Sequence, residues 1–130
     1  MIEQTEMVVT KWEYTQPSRE LLENEKILSA IEFDVMRKRN SEKKGIACRF
    51  TCTYTAGPQT ILTFVGEDSY VIDLQDVVDK EELMRMVHNS YSKFSEKFEF
   101  KRLGTILSNH SLMPLNEKLI DTDTILPLLV

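Results

Sequence analysis

The spacing of apolar side chains along the chain changes once, near residue 79. Before that point the dominant period is two. Ile46, Cys48, Phe50, Cys52 and Tyr54 alternate with Arg49, Thr51, Thr53 and Thr55, which puts the two sets on opposite faces of one strand. Ile31, Phe33 and Val35 alternate with Glu32, Asp34 and Met36 in the same way. Residues 7–14 mix Val, Thr, Trp and Tyr, side chains that suit a pleated, half-buried surface. Residues 60–65 have strand composition too. The stretch Gly66-Glu67-Asp68-Ser69 is either a turn or a bend inside one long strand that continues through Tyr70, Val71 and Ile72, and both alternatives stay open. Short connections at Asn40–Lys44 and Ala56–Pro58 suit hairpins. The pattern predicts a four-stranded antiparallel meander, five-stranded if the last stretch divides, over about residues 5–75.

After residue 79 the period lengthens. Asp79 is a good N-cap and Glu82 can return the hydrogen bond as a capping box. Leu83, Val87, Tyr91, Phe94 and Phe98 then recur at spacings of three and four, with Met84 beside them. Lys80, Glu81, Arg85, Asn89, Lys93, Glu96 and Lys97 fall on the other side. That is an amphipathic helix of roughly five turns. Gly104 is placed to end it, or to end the turn that follows. Residues 105–120 show no clear period. The apolar stretch from Thr124 to Val130 is costly to leave in water, so it should dock on the domain or on a neighbouring subunit. The expected fold class is α+β, with a sheet, a long helix and a shorter C-terminal helical or extended segment. The 130 residues suit a single domain, 1–130, with the helical part over about 79–130.

Charge narrows the partners. A net charge of −5 and a pI near 5.1 oppose a phosphate backbone, so no nucleic-acid partner is expected. The basic segment Arg37-Lys38-Arg39, continued by Lys43-Lys44, lacks the interleaved aromatics of a single-strand binder and reads as a solvated hairpin tip. No apolar run approaches the roughly 18–20 residues of a membrane span. The acidic start, Met1 to Glu6, lacks the basic and apolar regions of a secretory signal. No membrane partner and a cytoplasmic location are the resulting expectations. Cys48 and Cys52, if they share a strand, point to one face about 13 Å apart, too far for a disulfide. Buried reduced thiols are expected there.

Candidate chemistry is sparse. The linear sequence places no carboxylate or nucleophile beside His88 or His110, so both are expected on or near the surface. The acidic residues Asp73, Asp76, Asp79, Glu81 and Glu82 complement the positive end of the helix. Phosphate loops, nucleophile elbows and zinc spacings are missing, so no catalytic residue, metal site or cofactor is expected. Methionines and phenylalanines, among them Met84, Met86, Phe94, Phe98, Phe100 and Met113, give an adaptable apolar supply, most of it destined for the core.

The order of elements resembles that of SecB, the bacterial export chaperone, and its wider superfamily. The local likeness follows the long helix. Phe94 to Phe98 are succeeded by Leu103-Gly104-Thr105-Ile106-Leu107 and then by Leu112-Met113-Pro114-Leu115. Where the family's helix usually carries proline–tyrosine–alanine–arginine, this chain has Tyr91-Ser92-Lys93-Phe94. A long tail for docking a translocation ATPase is expected to be missing. The resemblance implies an ATP-independent holding chaperone that forms dimers or tetramers and binds unfolded or nascent polypeptide in apolar grooves. The client-binding candidates it suggests are Trp12 and Tyr14 on the first strand, and Met84, Tyr91, Phe94 and Phe98 on the helix. Two other readings compete. One is a dedicated adaptor or chaperone of a single partner protein. The other is a small-ligand or enzymatic domain using a sheet–helix cavity with His88, Tyr70 or Asp73.

Overall fold

The computed structural model describes residues 2–130. In chain order the elements are β1 (Ile2–Gln4), β2 (Val8–Tyr14), α1 (Arg19–Asn24), β3 (Ile27–Arg39), β4 (Lys43–Ala56), β5 (Gln59–Asp73), α2 (Lys80–Lys101) and α3 (Thr122–Ile125). Short 3-10 turns cover Glu117–Leu119 and Leu126–Leu129. The fold is the expected α+β arrangement, a five-stranded antiparallel sheet followed by helices.

The meander is confined to β3, β4 and β5. The N-terminal strands return to the far side of β5: β1 lies along Tyr70–Ile72 and β2 along Leu62–Glu67. A single strand can hold both because β5 is 15 residues long and unbroken through Gly66–Ser69. Gly66 is therefore no turn glycine. A Cβ there would stand 2.7 Å from Cδ1 of Phe94 and 3.0 Å from Sδ of Met7, so the missing side chain makes room for the ring of α2. The real turn is Gly57-Pro58, where Gly57 has φ 55°, a left-handed conformation that glycine adopts without steric cost.

The β3–β4 connection is shorter than the sequence suggests. Asn40 Oδ1 accepts hydrogen bonds from the backbone of Glu42 at 2.8 Å and Lys43 at 2.7 Å, closing the turn so tightly that Lys44 already lies opposite Arg39 of β3 and Lys43 opposite Asp73 of β5. The basic residues are thus strand residues rather than a solvated tip. Lys43 bonds Asp73. Lys44 is 5% exposed and donates to the Asp76 carbonyl.

Helix α2 runs for 22 residues, about a turn longer than its apolar stripe suggests. Asp79 caps it by accepting from the Glu82 backbone at 2.8 Å. The return half of the capping box is absent, because the Glu82 carboxylate bonds Arg85 instead. The buried face is Leu83, Met86, Val87, Ser90, Tyr91, Phe94 and Phe98, with Met86 in the core where Met84 was the sequence's choice. These side chains lie on Phe50, Phe64 and the inner rows of β4 and β5. Phe94 stacks on Phe64 at 4.9 Å and leans on Phe50 at 5.4 Å, contacts of the kind that add to simple burial. The C-terminal segment docks on this same domain, with Ile125 and Leu129 buried. The helix α1 has no sequence precedent here. Its six residues are too few to establish a period, and Ser18, accepting from the Leu21 backbone at 3.1 Å, marks its start.

Helix α2 covers the middle of one sheet face. The inner-facing residues of the edge strand β3, Ile31, Phe33 and Val35, are left half-buried. Among the described residues, no helix is long and apolar enough to cross a membrane.

Candidate functional site

The half-covered margin beside β3 is closed by the chain that follows α2. Gly104, at φ 82°, reverses the backbone after the helix, and Leu107 anchors the return by complete burial. Residues 111–116 then cross over Tyr91 as an irregular strap. Two contacts pin it: the Tyr91 hydroxyl donates to the Met113 carbonyl, and His88 Nε2 meets Glu117 Oε1 at 2.8 Å. His88 thus has a carboxylate neighbour, brought from 29 residues away. No linear spacing could reveal it.

A furrow runs along each side of the strap. The narrower, about 90 Å³, lies between Ile31 of β3 and Met113, Pro114, Leu115 and Leu119, with Tyr91 at its floor. The wider, about 460 Å³, lies between the strap and the outer shoulder of α2, where Ser92, Ser95, Glu96 and Glu99 supply polar edges. Met113 is 44% exposed and Leu119 38% exposed. An apolar strip with polar margins, open along its length, can take up side chains of an extended polypeptide without reading its sequence.

The residues predicted to bind clients do not gather on one surface. Tyr91 lies under the strap. Phe94 and Phe98 have zero exposure and belong to the core. Trp12 and Tyr14 are half-buried on β2, across the sheet from β3. Trp12 packs edge-on to Phe64 at 5.8 Å, and the Tyr14 hydroxyl accepts from the Ile106 backbone at 3.1 Å. Met84 is half-buried beside the core. Sequence reasoning passed over Ile31, Leu115 and Leu119 as surface candidates. The signal for Leu115 was the apolar run Leu112–Leu115 around a proline, which carried the family resemblance but was not read as a site; Ile31 showed only as one member of a strand alternation.

The groups that a catalytic reading would need are dispersed. Tyr70 is buried and donates to the Met86 carbonyl at 2.5 Å. Asp73 pairs with Lys43 at the sheet end, and His88 lies on the surface with Glu117. His110 meets the ring of Tyr54 edge-on. Cys48 and Cys52 are buried on the inner face of β4, and burial pushes each thiol up to about 12, so both stay protonated near neutrality. Among the described residues, no group of three or more His, Cys, Asp or Glu is disposed to hold a metal ion.

One buried acid was not anticipated. Asp68, 2% exposed, points inward from β5 beneath α2. Its oxygens lie 2.8 and 2.9 Å from Ser90 Oγ, and Gln4 Nε2 donates to it at 2.8 Å. Burial raises its pKa, while the bonds from Gln4 and Ser90 and the charge of Lys93 pull it back. The cluster ties β1, β5 and α2 together.

No family model and no curated protein matches the chain. Among solved structures, it is similar to a SecB-like chaperone of Mycobacterium tuberculosis in complex with a peptide from an antitoxin. The TM-score is 0.54 at 14% identity, over 88% of this chain and 90% of that one. A Streptococcus agalactiae protein of unknown function aligns at TM-score 0.49 and 8% identity, over 89% of this chain and 97% of that one. The class defined by sheet order, long helix and returning C-terminal segment is the SecB-like α+β fold.

Proposed function

We propose that this domain holds extended or unfolded polypeptide, without nucleotide, by burying client side chains along the strap furrows. The observation that carries the reading is the half-exposed apolar strip of Met113, Pro114, Leu115 and Leu119 laid beside Ile31 over Tyr91. Apolar burial at about 25 cal/mol per Å², repeated at many places on one client, accumulates by avidity. The fold shared with a peptide-bound SecB-like chaperone supports the reading. A binding rather than catalytic role, a cytoplasmic location and assembly into dimers or tetramers belong to the same proposal. Exposed Phe100 (79%) and Leu103 (61%) support the last of these by offering apolar surface for a neighbouring copy.

The test is suppression of aggregation of a denatured model protein. Wild type is expected to suppress it in the absence of ATP. Met113→Glu with Leu119→Glu, at positions exposed enough to accept charge without unfolding, should lose most of that effect. Failure of wild type at several-fold molar excess, or full activity in the double variant, sinks the furrow as the holding surface. Pull-down from the native host separates general holding from dedicated service: one stoichiometric partner indicates the second, a spread of clients the first.

A further inference from the structure

The outer edge of β3 is the longest stretch of unpaired backbone in the sheet. The strand has 13 residues, contains no proline and pairs with β4 without a register shift. Among the described residues, no strand lies on its other side. Alternate backbone groups along it therefore point away from the domain, a template for one more strand. Its side chains also carry a pattern. Ile31, Phe33 and Val35 face the helix side and are half-buried, next to the strap furrow. Charge runs from acidic to basic along the strand: Glu32 and Asp34 precede Lys38 on the face turned away from the helix, and Arg37 and Arg39 follow Val35 on the helix side, Arg39 donating to the Val130 carbonyl.

The geometry points to strand addition: an extended client segment pairs antiparallel with β3, its polarity chosen by this charge gradient. The inference rests on the polypeptide-binding reading above and deepens it. Antiparallel pairing is the slightly more stable mode. It sets the N-terminal half of the client opposite Arg37–Arg39 and the C-terminal half opposite Glu32 and Asp34. The matching segment has apolar residues at alternate positions, which fall over Ile31, Phe33 and Val35. On the other face it carries Lys or Arg toward its C-terminus, opposite Glu32 and Asp34, and Asp or Glu opposite Lys38; toward its N-terminus the helix-side positions beyond the apolar ones, opposite Arg37 and Arg39, are acidic as well. Opposite charges across a strand pair are favourable and like charges are not.

A second copy fits this edge less well. Pairing centred on Phe33 sets Asp34 opposite Glu32 twice, and centring on Asp34 sets it opposite itself. Centring on Val35 relieves the repulsion but lays Arg37 and Arg39 against Phe33 and Ile31, where apolar cover is wanted. A one-residue slip would turn every side chain to the wrong face.

The experiment uses two labelled peptides of identical composition and apolar alternation. One is acidic toward its N-terminus and basic toward its C-terminus; the other has these ends exchanged. Full-length protein is titrated with each by fluorescence polarisation, with hydrogen exchange followed on the bound state. The first peptide is expected to bind about ten-fold more tightly and to slow exchange of β3 amides. Glu32→Gln with Asp34→Asn should erase most of the preference while leaving the fold intact, because neither side chain takes part in a described hydrogen bond. Equal binding of both peptides overturns the inference, as does a preference that survives neutralisation. So does protection confined to residues 112–119, which would leave the holding function standing without strand addition. Wild-type β3 amides already protected by self-association would overturn it as well.

Discussion

Asp68 shows how a single residue can work against stability and still be held in place. A carboxylate under a helix is costly when ionised, and here a hydroxyl and an amide offset only part of that cost. The consequence for pH has a definite sign. Its pKa is raised above the ordinary 3.8 by burial. At pH values below that ordinary value both folded and unfolded chains are protonated, and the residue contributes no pH dependence. As pH climbs above it, the unfolded chain ionises first and binds fewer protons, so stability falls until the folded carboxyl also ionises. Asp68→Asn should remove this component. Urea midpoints of the variant and wild type are expected to converge at low pH and to favour the variant near neutrality. A variant less stable than wild type at neutral pH would show that the charge itself holds β1 to the domain. Asp68 was not legible beforehand: it sits in a Gly-Glu-Asp-Ser stretch that suits a turn as well as a bend in one long strand, and only the helix overhead makes it a buried acid.

At the scale of elements, α2 and the central strands follow from local rules. The Asp79 cap and the spacing of Leu83, Val87, Tyr91, Phe94 and Phe98 define a helix before any tertiary contact is known. Asp79→Ala removes the acceptor for the Glu82 backbone and should cost about 1 kcal/mol, read as a lower denaturation midpoint with an unchanged slope. A loss below a few tenths would mean that packing of Phe94 and Phe98 alone sets the helix start. The strap is a different kind of element. Residues 111–116 have no regular hydrogen bonding of their own, so no period announces them. They take their shape from Tyr91, which holds Met113, and from His88, which holds Glu117 at the strap's end, both supplied by α2. The candidate site lies here, where sequence reasoning was weakest, while Phe94 and Phe98, clearest in the pattern, are core. A regular apolar stripe is evidence of burial, and a binding surface must remain partly unburied.

For the whole molecule, one sheet face is covered by α2 and the C-terminal segment and the other is open. The open face is mixed: Thr51, Thr53, Thr63, Val65 and Val71 are half-buried around the ion pair of Arg49 and Glu67, 3.1 Å apart. This face, and separately exposed Phe100 and Leu103 at the end of α2, are the surfaces that the proposed assembly would use. Light scattering is expected to give a dimer or tetramer whose mass holds on dilution. A monomer at all concentrations would remove the assembly proposal and leave the holding and strand-addition tests as they stand.

The sequence by itself determined the elements that depend on near neighbours. These are the alternating strand of residues 46–54, the Asp79 cap, the helical stripe and the breaks at Gly57 and Gly104, because period, capping and backbone freedom act over a few residues. Tertiary structure alone decided which strands lie side by side, why β5 passes straight through Gly66, where Asp68 is buried, and how the strap is tied over Tyr91. Each of these joins residues far apart in the chain. Their energies depend on which surfaces meet, and a pattern of residue types along a line does not contain that information.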